Sequence, residues 1–264
     1  MGAFLGIDIG SLSCDGVLID TDGHILAATV VPTGARNLEA IERVRREIKH
    51  SAGLNDADIL ATISTGYGRD RVDQRLAAVT EITCHARGIQ ALFPDTDILV
   101  DIGGQDSKAI RLDRKGGVLD FAMNDKCAAG TGRFLEAMAR ALQVDITELG
   151  ELDGGAREGL TLSSMCTVFA ESEVVSLIAD GTETREIVAG LNRAIASRTA
   201  SLAKRVGGEM TGLNVAMSGG VARNGGVVRA ISEVLGSPIA VPDKPDTVGA
   251  FGAALIARER FARS

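Results

Sequence analysis

The chain has 264 residues, 45% hydrophobic and 24% charged, with 32 glycines, one tyrosine and no tryptophan, enough to bury a core as one large domain or two lobes. Its formal net charge of −7 leaves no basic stripe for displacing counterions, which argues against a nucleic-acid partner. The opening "MGAFLGIDIG" lacks a basic n-region and carries Asp8 in its apolar run, and no stretch approaches a membrane span, so a cytoplasmic protein without membrane contact is expected.

Apolar, β-prone runs at 3–9, 16–19 and 24–31, the last two joined by "DTDG", read as an N-terminal meander. A helix follows in "NLEAIERVRREIKH", with Asn37 as N-cap and Ile41, Val44 and Ile48 on one face. A strand at 58–63 leads into the loop "TGYGR", and a helix covers 81–92. The pattern then repeats. "GIDIGSLSCDGVLID" aligns with "LVDIGGQDSKAIRLD", placing Asp8, Ile9, Gly10 and Asp20 on Asp101, Ile102, Gly103 and Asp113 at a constant offset of 93 residues. Both segments read as strand, tight glycine turn, strand.

Helices are expected at 131–142, 167–179 and 184–206, the last with a buried stripe of Ile187, Val188, Leu191, Ile195 and Leu202. "LNVAMSGGVARNGGVVRAISEVLG" reads as strand, glycine loop and helix, capped by Asn224 and stopped at Gly236. The final helix, "DTVGAFGAALIARER", carries Gly249, Ala250, Gly252 and Ala253, small residues that permit close crossing of another helix. Two lobes are expected: 1–95 with the C-terminal helix 245–264, and 96–244, sharing one cleft.

Glycine turns matter because backbone N–H groups reach phosphate oxygens where no Cβ intervenes. Three occur, at 8–11, 101–107 and 218–226. Asp8 and Asp101, at strand ends beside such turns, suit Mg²⁺ held through water, and Gln105 could orient an attacking water. Gly10, Ser11, Ser13, Gly103, Gly104 and Lys108 are candidates for the phosphates, with Gly219, Gly220 and Asn224 on the nucleoside side. Neither GxxxxGK[ST] nor GxGxxG with a following acid is present, so P-loop and Rossmann readings fail.

The loop order, with its Ala/Gly-rich closing helix, resembles the actin, hexokinase and heat-shock chaperone ATPase superfamily, an α/β, duplicated ribonuclease-H-like fold with a nucleotide cleft between lobes. "TGYGR", "EITCHARG", "DIGGQDSK", "NDKCAAGTGRFLE", "TVFAESEVV" and "GGVARN" narrow the match. They resemble the ATP-dependent activators of 2-hydroxyacyl-CoA dehydratases and the ATPase subunits of benzoyl-CoA reductase, over residues 5 to 258.

Of four cysteines, Cys14 and Cys84 read as packing, and no CxxC pair or HExxH supports a zinc or single-chain cluster site. Cys127 and Cys166 each precede a helix, where the dipole favours thiolate. Two per chain would make four in a symmetric dimer, and the resemblance implies the same: a homodimer bridged by one 4Fe–4S cluster. It further implies ATP/ADP and Mg²⁺, a reduced ferredoxin or flavodoxin as electron donor, a 2-hydroxyacyl-CoA dehydratase or related reductase as partner, and oxygen sensitivity. Relatives carry a hydroxyl residue and Lys where this chain has Cys14 and Asp15; Lys108, at the repeat-equivalent position, could supply that charge. The competing readings are an amino-sugar type kinase of the same fold, a nucleotide-binding regulator, and a subunit of a heteromeric benzoyl-CoA-type reductase.

Overall fold

The computed structural model describes residues 2–154, 160, 162 and 166–263. From the N-terminus, β1 (Ala3–Ile9), β2 (Ser13–Ile19) and β3 (Ile25–Pro32) form the meander, followed by α1 (Asn37–Ala52), β4 (Ile59–Gly66), the short β5 (Ala77–Ala78) and α2 (Glu81–Leu92). Then come β6 (Ile98–Ile102), β7 (Ser107–Leu112), β8 (Val118–Asn124), α3 (Gly132–Leu142) and a one-turn α4 (Leu149–Leu152). The chain closes with α5 (Thr167–Ala179), α6 (Thr184–Gly207), β9 (Val215–Ser218), α7 (Gly225–Leu235), β10 (Ile239–Ala240) and α8 (Val248–Phe261).

The chain divides into two compact units: Met1–Thr96, Leu112–Leu119 and Pro242–Ser264 in the first, Asp97–Arg111 and Asp120–Val241 in the second. The first holds a five-stranded sheet in the order β3-β2-β1-β4-β5. Strand alternation decides its two faces. Leu5, Ile7 and Ile9 of β1 pack with Val44 and Ile48 of α1, whereas Phe4, with Val17 and Ile19 of β2, packs under α8. Asp8 and Asp15 share the parity of Phe4 and Val17, so they belong to the α8 face.

Small residues bring α8 onto this sheet. A Cβ on Gly252 would fall on the carbonyl oxygen of Cys84 in α2, and one on Gly6 would fall on that of Ala250. The close crossing expected of this helix is therefore real, and α2 is the helix crossed. Cys14 and Cys84 are both fully buried, and burial pushes the Cys84 thiol up to about 12.

The second unit contributes a sheet in the order β10-β9-β6-β7-β8. Its core draws on Phe134, Leu135 and Met138 of α3, Ala170 and Val174 of α5, Ile187, Leu191 and Ile195 of α6, and Val227 and Ile231 of α7.

Several boundaries differ from expectation. The α1 cap is Arg36, without a side-chain cap bond, while Asn37 is the first helical residue and turns its amide toward Gly68. The second strand begins at Ser13 because its ladder with β1 runs to Ile9–Cys14, at the turn itself. Leu202 is only partly buried, the stripe of α6 continuing instead through Thr199 and Ala203. Asn224 does cap α7, its Oδ1 accepting from the Val227 amide at 3.0 Å, and Gly236 ends that helix at φ 66°.

Candidate functional site

The two predicted turns have the same construction. In the first, the Gly10 amide donates to the Ser13 carbonyl at 2.9 Å; in the second, the Gly103 amide donates to the Asp106 carbonyl at 3.0 Å. The parallel neighbours match as well. Asp8 lies opposite Thr65 in the β1–β4 register, and Asp101 lies opposite Ser218 in the β6–β9 register. A positive-φ glycine follows each, Gly66 at 83° and Gly219 at 86°, and a Cβ on either would crowd the neighbouring aspartate. "TG" at 65–66 and "SG" at 218–219 are thus one feature built twice, and sequence reading missed it because the spacing between β1 and β4 differs from that between β6 and β9.

The charges around the two turns differ. Asp101 is 2% exposed, with Oδ1 accepting from the Ser218 hydroxyl at 2.8 Å and Oδ2 accepting from Lys108 Nζ at 3.2 Å. Lys108, also 2% exposed, donates again to Asp106 Oδ1 at 2.9 Å. The lysine expected to lend charge to a phosphate is therefore engaged inside the second unit. In the first unit Asp8 is buried, with His85 Nε2 of α2 at 3.4 Å from its Oδ2. Gly249 lies against both side chains, where a Cβ would not fit. In the sequence His85 is one of three scattered histidines and carries no assigned role, although it stands in the quoted "EITCHARG".

Asp15 is 5% exposed, and only its Oδ2 is bonded, to the Ser13 hydroxyl at 3.0 Å. Burial first, then the charge of Asp8, hold its carboxyl well above the usual carboxylate range. Its protonated form is thus favoured by folding, and that contribution is full below the unfolded value of about 3.9 and fades as pH rises through the raised value. Asp15→Asn should stabilise the metal-free protein at neutral pH by about 1–3 kcal/mol. The gain should shrink as pH falls toward the carboxylate range. Thermal melts of both proteins from pH 4 to 8 in chelator check this, and a pH-independent difference would defeat it.

Around the second turn, Gly103 and Gly104 are half-buried and Gln105 is exposed at the tip. The Gly103 carbonyl accepts from the Gly132 amide and the Gly104 carbonyl from the Arg133 amide, both at 2.9 Å. The Thr131 hydroxyl also donates to the Gly104 carbonyl at 2.9 Å. The first amides of α3 are therefore committed to the turn. In the third loop Gly219 is buried beside Asp101, and Gly220 and the α7 N-terminus at Gly225 are exposed.

Both remaining cysteines are partly exposed and lie in the second unit. Cys166 is the N-cap residue of α5, its carbonyl accepting from the Ala170 amide. Cys127 stands farther from its helix, because the turn closed by the Thr131 amide on the Ala128 carbonyl intervenes before α3. Beside Cys166, Val168 and Phe169 are 66% and 70% exposed, an apolar surface unusual for a helix end.

Residues 5–257 match the family model described as the BadF/BadG/BcrA/BcrD ATPase family. The chain belongs to that family. Among members of the BadF/BadG/BcrA/BcrD family, the activator of lactoyl-CoA dehydratase from Anaerotignum propionicum is 48% identical, covering 97% of each chain. The activator of the 2-hydroxyisocaproyl-CoA dehydratase from Clostridium difficile, solved with bound ADPNP, superposes with a TM-score of 0.92 at 42% identity, covering 99% of this chain and 96% of its own. Component A of the (R)-2-hydroxyglutaryl-CoA dehydratase of Acidaminococcus fermentans gives a TM-score of 0.94 at 40% identity, covering 99% and 100%. A ROK family glucokinase from Streptomyces griseus, at 15% identity and TM-score 0.58, shares the fold alone. The family thus carries the actin/hexokinase-type α/β fold. No helix among the described residues is long and apolar enough to cross a membrane.

Proposed function

We propose that this chain is an ATP-driven activator of a 2-hydroxyacyl-CoA dehydratase or a related low-potential reductase, working as a homodimer in the cytoplasm. The observation that carries the reading is the pair of partly exposed cysteines, Cys127 and Cys166, set in the unit that also bears the second predicted phosphate turn and the Gly219 loop. A kinase of this fold has no use for them. The residues fit half of a thiolate cluster site: two soft sulfur donors, neither fully buried, one of them capping a helix. A 4Fe–4S cluster held there by two chains would supply one-electron chemistry, with a reduced ferredoxin or flavodoxin as donor and the dehydratase as acceptor. Val168 and Phe169 would be covered by the second chain or the dehydratase.

In the ATPase part, the backbone of Gly10, Ser11 and Ser13 and of Gly103 and Gly104 would receive phosphate oxygens. Gln105, exposed at its tip, would orient the attacking water. Asp101 is already held by Lys108 and Ser218, so it would act on Mg²⁺ through water rather than as a direct ligand. The orphaned Oδ1 of buried Asp15 fits a cation on the Asp8 side. Gly219, Gly220 and Asn224 would face the nucleoside. Nucleotide states move an electron uphill only if they differ in contacts with the partner, so hydrolysis has to reach the cysteine segments. Through Gly132 and Arg133, the second turn is bonded to the segment that follows Cys127.

The test is anaerobic. Wild-type protein should hold about four irons and four sulfides per dimer, and Cys127→Ser and Cys166→Ser should each lose them while still binding ATP. A wild type that dimerises and binds ATP but takes up no iron would end the electron-transfer reading. A chain that is monomeric until mixed with a different subunit would point to a heteromeric reductase.

A further inference from the structure

The repeated hairpin is filled with opposite charge in the two units. In the second, Asp101 faces Lys108 across the β6–β7 ladder, and the ammonium sits 3.2 Å from Asp101 and 2.9 Å from Asp106. In the first, the same ladder position pairs Asp8 with Asp15, and Ser13 stands where Asp106 does. A positive charge bound by two carboxylates has thus been exchanged for a carboxylate beside a carboxylate.

Directly opposed cross-strand residues hold their Cβ atoms about 4.5–5.5 Å apart, close enough for two carboxylates to share one ion. Asp15 is 5% exposed, and its Oδ1 has no hydrogen-bond partner in the structure, while Oδ2 takes the Ser13 hydroxyl. Asp8 faces it across the β1–β2 ladder, and His85 Nε2 lies 3.4 Å from the Asp8 Oδ2. A buried carboxylate oxygen left without a donor, in a pocket whose twin carries an ammonium, calls for a cation. A magnesium-like ion suits the place, because it is held by one or two carboxylates and keeps several waters.

We propose that Asp8 and Asp15, with the Ser13 hydroxyl beside them, bind one divalent cation of the Mg²⁺ class before nucleotide arrives, in the place that the Lys108 ammonium holds in the second hairpin. The site deepens the ATPase reading and rests on it in taking the first turn as a phosphate turn. Waters completing the ion's shell are what a phosphate oxygen would displace. Ligation by two carboxylates also answers the presence of an acid at the ladder position where the second hairpin carries Lys108.

The test uses Mn²⁺ alone, titrated into the nucleotide-free full chain and read by the resonance of the free ion. One Mn²⁺ per chain is expected in the wild type, and Asp15→Asn and Asp15→Lys should each weaken it by about tenfold or more. Asp22→Asn is the control, since Asp20, Asp22 and His24 also place ligand atoms within 4.8 Å of one another on an exposed turn. It should leave the Asp15-dependent ion unchanged. Melting temperatures of each variant establish that it is folded, and Asp15→Lys installs the residue the other hairpin already carries. Wild-type affinity retained in Asp15→Asn, no stoichiometric ion in the wild type, or loss in Asp22→Asn in place of Asp15→Asn would each overturn the site. Binding of a fluorescent ATP analogue to the same samples separates the two readings. Protein that takes Asp15-dependent Mn²⁺ but no nucleotide keeps the site and fails as an ATPase, whereas protein that binds nucleotide without that ion fails the site alone.

Discussion

Replacing Lys108 by methionine should cost the protein about 3–5 kcal/mol of stability, the penalty of removing one partner from a buried ion pair. The reason lies in what remains. Asp101 and Asp106 are 2% and 4% exposed, and both accept from the same ammonium, so the substitution takes the shared cation from two buried carboxylates at once. Methionine keeps the length and the packing of the stem, which confines the loss to the charge. Urea unfolding of wild type and variant measures it. A loss below about 1 kcal/mol would show that the triad is no stronger than a surface pair. The companion change in the first hairpin has the opposite sign, since Asp15→Asn replaces a buried carboxyl whose ionisation has no such cation to answer it. One repeat, two substitutions at equivalent positions, and stability moving in opposite directions form a single coherent expectation.

Gly252→Ala should cost about 3 kcal/mol, the upper end for overpacking a tight interior. Its Cβ would land on the Cys84 carbonyl oxygen, which is backbone and cannot rotate away, and the Gly88 amide nitrogen follows at 2.8 Å. The helices α2 and α8 would have to separate, and α2 carries His85, the residue against Asp8. Gly225→Ala is the control: its Cβ would meet only the Arg229 guanidinium, at 3.3 Å, in a helix where alanine is the better former. Thermal melts of the two variants should therefore diverge by several degrees. Equal melting temperatures would mean that α8 can shift outward without loss, against the close crossing of α2 and α8.

Much of this is legible in the sequence alone. The 93-residue offset between the "DIG" segments is a local property, carried by adjacent residues in each hairpin, and the hairpins reproduce it down to the Gly10 and Gly103 bonds. Asn224 and Gly236 announced the ends of α7 because capping chemistry is also local. What could not be read is what parallel pairing assembles. Thr65–Gly66 and Ser218–Gly219 become equivalent only when β4 and β9 slot beside β1 and β6. His85 acquires meaning only when α2 brings it to Asp8, and Lys108, which the sequence offers as a charge for phosphate, is instead drawn to Asp101 and Asp106. Arg36 in place of Asn37 as the α1 cap is a one-residue difference of the kind that helix ends ordinarily show.

The amides at the start of a helix have no partner within it and are usually the first to trade their protons with water. In α3 the amides of Gly132 and Arg133 are instead fastened to the carbonyls of Gly103 and Gly104. Their exchange is therefore timed by the opening of the second turn and not by fraying of the helix they begin. Two backbone protons just downstream of Cys127 thus act as a clock set by the loop on the other side of the bond, and they keep that time without any label, cofactor or partner being added.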